Sequence, residues 1–205
     1  LGTASEEIMT IRVLIRDNLY YGNRPRRTLR RARRYLRAVT KPSNHPHAKV
    51  VTAFWFDQFQ NFGDALTPWL LADAGFTPRL ATATTAQVIG IGSIVEMVPP
   101  TFQGSVWGSG LLHERSFSLP DATWLAVRGH LTRELVGAPS GIALGDPGLL
   151  VSTVVTRSQR RFSLGIVPHH AQRDQLVWQQ IRDLVPGSRI IDPIGPPARV
   201  VREIA

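Results

Sequence analysis

Residues 50–75, VVTAFWFDQFQNFGDALTPWLLADAG, decide the fold class of this chain. The apolar, β-branched and aromatic run 50–56 is typical of a strand that is buried on both faces. After a polar loop, apolar residues recur at helical spacing, which predicts a helix over 64–74 that Gly75 ends. A buried strand followed closely by a helix is the repeating unit of an α/β protein.

The same alternation continues towards the C-terminus. Further predicted strands lie at 88–91, 105–107, 123–127, 142–144, 162–167 and 189–191, and further helices at 131–136, 174–184 and 198–204. Short loops between them predict an α/β fold with a Rossmann-like, largely parallel sheet layered by helices. We expect a basic N-terminal extension and linker at 1–47, a Rossmann-like domain at 48–155 and the start of a second α/β domain at 162–205.

The positive charge of the chain is concentrated in one segment. The 205 residues carry a net charge of +9, but residues 24–37, RPRRTLRRARRYLR, hold eight arginines and no acid, so the rest carries +1. This argues against a uniformly basic nucleic-acid-binding fold. Three interpretations of the segment stay open: a solvated helix packed on the core, a helix lying on an anionic membrane surface, or a nucleic-acid contact.

The amino-acid composition excludes several kinds of site and of protein. The chain has no cysteine, which excludes disulfides, thiolate metal ligands and thiol catalysis. Its apolar fraction of 43% is that of a globular protein, and no apolar run reaches the length of a membrane span. No secretory signal pattern opens the sequence. We expect a cytoplasmic protein, with a peripheral position at the inner face of the membrane as a further option.

Glycine and polar residues gather where the predicted strands end, which is where open α/β sheets bind ligands. The first group is Asn61, Gly63 and Asp64, either a ligand-binding turn or a plain turn in which Asp64 caps the helix. The second comprises Gly92 and Ser93 together with the triplet Gly108, Ser109 and Gly110; tight packing would explain these residues equally well. Val95 replaces the last glycine of a dinucleotide fingerprint and no P-loop is present, so we expect no nucleotide cofactor.

Charged and titratable residues follow three other strands. Arg128 follows the strand at 123–127, where a guanidinium suits a phosphate or carboxylate. Arg133 lies farther on, in the helix, and is a second candidate for substrate binding, although a solvated face is the simpler interpretation. Asp146 follows the strand at 142–144. His169 and His170 follow the strand at 162–167 and are candidates for acid–base chemistry, although a structural role is common for such histidines. No metal-binding spacing is present, and we expect no metal.

Six segments together resemble the polysaccharide pyruvyl transferase family in sequence, order and spacing. They are NFGDALTPWLL (61–71), IGIGSIV (89–95), VWGSGLL (106–112), VRGHLTRELVG (127–137), ALGDPGLLV (143–151) and LGIVPHH (164–170). One departure is His130, since the family commonly has proline there. The family also continues with an SLHG-like motif in its second domain, which this chain lacks, so we expect the sequence to be a piece of a longer enzyme.

The resemblance implies transfer of an enolpyruvyl-derived group from phosphoenolpyruvate, the donor substrate, to hydroxyls of a sugar or lipid-linked oligosaccharide. The product would be a pyruvate ketal on an exopolysaccharide or cell-wall glycan, made in a two-domain, GT-B-like glycosyltransferase architecture. With that reaction, Arg128 and the turn at Gly63 would bind the donor, His169 would act as an acid or base, and Asp64 or Asp146 would bind sugar hydroxyls. Residues 24–37 would contact an anionic membrane from the cytoplasmic side. The competing functions are a nucleotide-sugar glycosyltransferase and a binding module without activity.

Overall fold

The computed structural model describes residues 48–58, 61–157 and 159–205. The basic segment 24–37 and the predicted extension 1–47 lie outside these described residues. The first strand, β1 (Val50–Phe54), is followed by helix α1 (Leu66–Asp73), which confirms the predicted strand–helix unit. The remaining elements are β2 (Thr77–Leu80), β3 (Val88–Ile89), β4 (Ser105–Ser109), β5 (Thr123–Val127), α2 (His130–Val136), β6 (Ala143–Leu144), α3 (Val151–Val154), β7 (Leu164–Ile166), α4 (Val177–Leu184), β8 (Ser188–Ile190) and α5 (Pro197–Ile204).

Six of these strands form one parallel sheet in the order β2-β1-β3-β4-β5-β6. The order reverses next to β1, because β2 lies on one side of it and β3 on the other. Reversal of this kind leaves a crevice at the carboxyl ends of the strands. An α/β fold with a parallel, Rossmann-like sheet is therefore confirmed.

The central strands of the sheet are covered on both faces. On one face, Leu66 and Leu70 of α1 pack with Ile91 and with Val201 of α5. On the other face, Ile89 and Val106 pack with the segment 94–102, which contains a 3₁₀ turn (Val95–Met97), and with Val136 of α2. Apolar side chains of successive sheet residues thus enter two separate cores, which is why β1, β3 and β4 are predominantly apolar.

Strands β7 and β8 form a second, two-stranded parallel sheet joined through α4. Two contacts among the described residues show where this unit meets the part of the chain that forms the larger sheet. The amide of Phe62, in the loop after β1, donates to the carbonyl of Pro193, in the loop after β8, at 2.9 Å. Val201 of α5 contributes to the core under α1. The loops that follow β1 and β8 therefore touch each other.

Two elements are absent from the sequence-based prediction. Strand β2 has the sequence TPRL, which lacks an apolar run and contains a proline, a residue confined to sheet edges. Its position at the sheet edge explains why proline is tolerated there. Helix α3 extends a 3₁₀ turn (Pro147–Leu150) by only four residues, which is too short for a periodic pattern. Of the two alternatives for the 61–64 turn, helix capping by Asp64 is wrong: α1 begins at Leu66, and Ala65 precedes it without a side-chain cap.

Among the described helices, none combines the length and the apolar character that crossing a bilayer requires.

Candidate functional site

Arg128 is the centre of a polar cluster at the carboxyl edge of the larger sheet. It directly follows β5, and its Nη1 donates to Oγ of Ser93 at 2.8 Å. Its Nε lies 3.4 Å from Oδ2 of Asp146, which follows β6. The side chain of Arg128 as a whole is 37% exposed, whereas its Nε is buried.

Asp146 both holds Arg128 and closes a turn. Its Oδ1 accepts a hydrogen bond of 2.8 Å from the amide of Gly148, which caps the 3₁₀ turn (Pro147–Leu150). Its Oδ2 faces the guanidinium of Arg128. Because both oxygens are engaged, the carboxylate has a fixed orientation, and it fixes that of the arginine.

Gly110 provides the surface on which Arg128 lies. A Cβ at this position would be 3.2 Å from Nε and 3.3 Å from Cβ and Cδ of Arg128. The backbone of Gly110 is itself held, since its amide donates to the carbonyl of Gly92 at 3.0 Å. The absence of a side chain at 110 therefore lets the arginine cross the end of β4.

Asn61, Gly63 and Asp64 form a compact turn after β1. Oδ1 of Asn61 accepts from the amide of Gly63 at 3.2 Å, and its Nδ2 donates to Oδ2 of Asp64 at 3.1 Å. Burial raises the pKa of Asp64 to about 6, against the opposing effects of the Asn61 hydrogen bond and the charge of Arg128. A carboxyl with such a pKa can exchange a proton near neutral pH, which ordinary carboxyls cannot do.

Gly92 brings the β3 strand end against Asp64. Its φ of +116° lies in the region that favours glycine. A Cβ there would also come within 3.3 Å of Oδ1 of Asp64. The carbonyl of Gly92 is bound by the fully buried hydroxyl of Ser109 at 2.9 Å. Gly92 thus borders the acidic group, whereas Ser109 serves internal packing.

Gly108 has a packing role at the bulge that ends β4. The pairing of β4 with β5 shifts register around this residue, whose φ is +74°. A Cβ would lie 2.3 Å from Cδ of Pro147 and 2.6 Å from the carbonyl oxygen of Gly145. Gly108 therefore lets the segment that carries Asp146 approach β4.

Arg133, a predicted substrate-binding residue, lies away from this cluster. Its Nη1 donates to the carbonyl of Ser140 at 3.2 Å, near the C-terminal end of α2. The cationic side chain there complements the helix dipole. The structure thus gives Arg133 a local contact that ties α2 to the loop before β6.

His169 and His170 follow β7 in the smaller sheet. Their rings lie 4.1 Å apart, and Nδ1 of His169 accepts from the amide of Ala171 at 3.3 Å. Burial, with the neighbouring charge of His169, lowers the pKa of His170. Within the described part of the chain, no hydrogen bond or ion pair joins His169 to Arg128, so the structure does not assemble these two residues into one contact group.

A second charged group, which the sequence analysis missed, lies after β3 and β4. The side chain of Glu96 is only 6% exposed, and it receives hydrogen bonds from the amide and Nδ1 of His113 and from Nη2 of Arg115. Burial opposes ionisation of Glu96, but these donors and the positive charge of Arg115 keep its pKa below the ordinary value. No local sequence pattern marks this group, because Glu96 and His113 lie 17 positions apart and meet only when the loops after β3 and β4 fold together.

Thr67 is a further residue that sequence reasoning missed. It is fully buried in α1, and its hydroxyl accepts from the amide of Ile91 at 3.0 Å. The contact fixes the backbone immediately before Gly92. Because Gly90 allows the close approach of Thr67, the strand end and the helix are held in one arrangement.

The cluster has the chemistry of an anion site that also carries a proton donor. Arg128 can present hydrogen-bond donors to a carboxylate or phosphate, and Asp64 can give or take a proton. With Asp64 protonated, the charges of Arg128 and Asp146 balance. In the described ranges, no group of three or more His, Asp or Glu side chains is placed to hold a metal ion.

The chain was compared with protein-family models, with curated proteins and with solved structures, and no match was found.

Proposed function

We propose that this protein transfers an enolpyruvyl-derived group from phosphoenolpyruvate to the hydroxyls of a sugar in an exopolysaccharide or cell-wall glycan, forming a pyruvate ketal. The observation that carries the proposal is the Arg128 guanidinium, fixed between Ser93 and Asp146 beside the carboxyl of Asp64. Phosphoenolpyruvate carries two or three negative charges and must be protonated on carbon during the reaction. An arginine that can bind an anion, next to a carboxyl group with a pKa of about 6, suits such a donor. The resemblance of six sequence segments to pyruvyl transferases supports the same substrate class.

Arg128 would bind the donor through its carboxylate or phosphate. A guanidinium recognises either group through paired hydrogen bonds, and an arginine already held on one side loses little entropy on binding. Asp146 and Ser93 would keep the guanidinium plane in place while its exposed side meets the ligand.

Asp64 would serve as the acid. Its proton would pass to the methylene carbon of phosphoenolpyruvate, leaving an oxocarbenium-like centre at C2 that a sugar hydroxyl attacks with loss of its own proton. Attack by a second hydroxyl would then expel inorganic phosphate and close the ketal. The proton of the first hydroxyl would leave with the phosphate, and that of the second would return to the Asp64 carboxylate. Each turnover thus consumes two hydroxyls, releases one phosphate and restores the acid. An anion bound at Arg128 disfavours the ionised form of Asp64, and donor binding would therefore favour the protonated acid.

A cleft between the larger sheet and the β7–β8 unit would hold the acceptor, in a GT-B-like arrangement. The contact of Phe62 with Pro193 supports this, because it joins loops that follow strands of the two sheets. His169 and His170, which follow β7, would then face the cleft from the second unit as further acid–base groups. The reaction belongs in the cytoplasm, where phosphoenolpyruvate is available.

Two other functions make different predictions. A nucleotide-sugar glycosyltransferase of similar architecture would bind nucleoside diphosphate sugars and ignore phosphoenolpyruvate. A binding module without activity would bind the donor or a sugar without releasing phosphate.

The test is calorimetric binding of phosphoenolpyruvate, with UDP-glucose as the comparison ligand. We expect wild type to bind phosphoenolpyruvate and not UDP-glucose. Arg128→Gln should weaken binding at least about a hundredfold, since a charge-assisted pair contributes roughly 3 kcal/mol. Arg128→Lys should retain part of the affinity.

Arg182→Gln is the matched control, because Arg182 is an exposed arginine on α4. It lowers the net charge equally and should bind like wild type. Binding of UDP-glucose in place of phosphoenolpyruvate would favour the glycosyltransferase. Equal binding by wild type and Arg128→Gln would overturn the proposed role of Arg128.

A further inference from the structure

Glu96 and His113 form a carboxylate–imidazole pair near the Arg128 cluster. Oε1 of Glu96 lies against Nδ1 of His113, and Oε2 accepts from the amide of His113 at 3.2 Å. The carboxylate is almost inaccessible, whereas the side chain of His113 is 65% exposed. A buried carboxylate thus holds a histidine whose ring reaches solvent.

The carboxylate decides which ring nitrogen can accept a proton. An ionised carboxylate accepts hydrogen bonds and cannot donate them, so Nδ1 of His113 carries the proton. Nε2 is then left with a free lone pair in the neutral ring. The carboxylate also holds the imidazole ring in one orientation, as in other carboxylate–histidine pairs.

The pair belongs to the same edge of the sheet as Arg128. Glu96 comes three residues after Ser93, whose hydroxyl accepts from Arg128, and His113 comes three residues after Gly110, on which Arg128 lies. Three residues span at most about 11 Å of chain. The two segments are also tied together, because the amide of Val95 donates to the carbonyl of Gly110 at 3.2 Å.

We propose that Glu96 and His113 form a catalytic dyad in which Nε2 of His113 removes the proton from the acceptor hydroxyl. This rests on the proposed function. As the hydroxyl oxygen bonds to C2 of the donor, its proton moves to Nε2, and the resulting imidazolium returns that proton to the departing phosphate. Asp64 supplies the separate proton that C3 gains, so one group protonates carbon and the other deprotonates oxygen.

A purely structural role for this group would give a different pattern. Glu96 also accepts from Arg115 at 3.2 Å, so in a structural role the three residues would serve only to hold the 111–117 loop in place. In that case, loss of either partner of Glu96 would have similar effects, and the identity of the proton-accepting nitrogen would be irrelevant.

The dyad is tested in the full-length protein by steady-state kinetics. Phosphate release from phosphoenolpyruvate is measured with a panel of para-nitrophenyl hexosides, and the ketal product is identified by mass. His113→Asn keeps an amide donor near the position of Nδ1 but removes Nε2. We expect kcat to fall at least about a hundredfold, with KM for phosphoenolpyruvate within about threefold of wild type.

Two further variants distinguish a catalytic role of His113 from a structural one. His113→Ala should regain at least about tenfold in rate when imidazole is added, because the free base replaces the missing ring. Arg115→Gln removes the other donor to Glu96 and should stay within about twofold of wild type. In wild type, nitrogen-15 NMR of the histidines should find Nε2 of His113 unprotonated in the neutral ring.

Each outcome has a distinct meaning. A wild-type enzyme that releases phosphate, with His113→Asn equally active, overturns the dyad and leaves the proposed function intact. Parallel losses in His113→Asn and Arg115→Gln without imidazole rescue, or an Nε2-protonated neutral ring, also overturn it. A wild-type protein that releases no phosphate with any hexoside overturns the proposed function and the dyad with it.

Discussion

Ser93 and Arg128 lie 35 positions apart in the chain, yet the hydroxyl of one accepts a hydrogen bond from Nη1 of the other at 2.8 Å. Ser93 follows β3 and Arg128 follows β5, and β4 lies between these strands in the sheet. The arginine side chain therefore passes over the end of β4, where Gly110 has no side chain to obstruct it. Three strand ends together fix one guanidinium.

Gly110→Ala should displace that guanidinium with little effect on folding. The new methyl group would lie 3.2–3.3 Å from three atoms of the Arg128 side chain, which can yield because it is partly exposed. We expect about tenfold weaker binding of phosphoenolpyruvate, equivalent to about 1.4 kcal/mol, and a nearly unchanged urea midpoint. Calorimetry and urea titration check the two parts.

Gly141→Ala is the control for this variant, because a Cβ there would meet no atom within 4 Å. It should bind and unfold like wild type. If Gly110→Ala binds phosphoenolpyruvate as tightly as Gly141→Ala does, the packing of Arg128 on Gly110 has no part in binding.

Gly108→Ala should be severely destabilising. The substitution places a methyl group 2.3 Å from Pro147 and 2.6 Å from a backbone oxygen, and it imposes a φ of +74° on a residue with a side chain. Backbone and proline atoms cannot move aside as a flexible side chain does, so we expect a loss of about 3 kcal/mol or more in the free energy of unfolding. Gly129→Ala, which meets nothing within 4 Å, should change it by less than about 1 kcal/mol. Urea denaturation of both variants tests the contrast, and equal midpoints would refute it.

The strands and helices were largely predictable because each carries a periodic apolar pattern. β5 has the predicted bounds 123–127, and helix α2 begins one residue before its predicted start. Several predicted elements are longer than the observed ones, as at β3, because burial extends beyond the residues that form ladder hydrogen bonds. Strand β4 and helix α5 are instead longer than predicted, by two residues and by one residue. Strand β2 has no such pattern: its place is fixed by pairing with β1 at the sheet edge, a long-range contact that local sequence does not encode.

The site was predictable only as a set of strand ends. The rule that ligands bind where parallel strands end selected Asp64, Arg128 and Asp146, which do lie together. The same rule could not distinguish packing residues from site residues. Gly108 and Ser109 serve internal packing, whereas Gly92 and Gly110 border the charged groups. Glu96 and His113 were missed because their pairing depends on how two loops fold against each other.

The stability of the protein should respond to pH through Asp64 in an unusual direction. The pKa of this carboxyl rises from 3.8 to about 6 on folding, chiefly because of burial. Between these values the folded state holds a proton that the unfolded state has lost, so Asp64 reduces stability as the pH rises from about 4 to about 6. The full effect would be about 3 kcal/mol, and the partial exposure of the side chain makes the expected change smaller.

Asp64→Asn should remove this pH dependence of the free energy of unfolding. Urea denaturation of wild type and variant at pH 4, 5, 6 and 7 measures the contribution of Asp64 as the difference between the two proteins. Wild type should lose stability relative to the variant across this range. Glu96→Gln should give the opposite sign: the pKa of Glu96 is lowered on folding, so its contribution is present at neutral pH and is lost as the pH falls below about 4.5. Curves for wild type and Asp64→Asn that run parallel would contradict the assignment of Asp64.

The basic segment 24–37 should bind anionic membranes. Its sequence contains eight arginines, and Leu29, Ala32 and Leu36, with Val39 just beyond the segment, are spaced at helical intervals, a pattern of basic amphipathic helices that lie on lipid surfaces. A cytoplasmic enzyme that modifies lipid-linked sugars would gain from such an anchor. We expect sedimentation with vesicles that contain phosphatidylserine and none with pure phosphatidylcholine. Changing Arg26, Arg27, Arg30 and Arg31 to Ala should weaken partitioning at least about a hundredfold, since each arginine near the surface contributes about 1 kcal/mol.

The matched control removes four exposed arginines elsewhere: Arg157, Arg160, Arg161 and Arg182. The two variants have the same net charge, so a difference between them separates a local anchor from general electrostatic attraction. The control should sediment with anionic vesicles nearly as well as wild type. Equal weakening in both variants would instead mean that overall charge drives the association, and wild-type binding to neutral vesicles would mean that apolar insertion does.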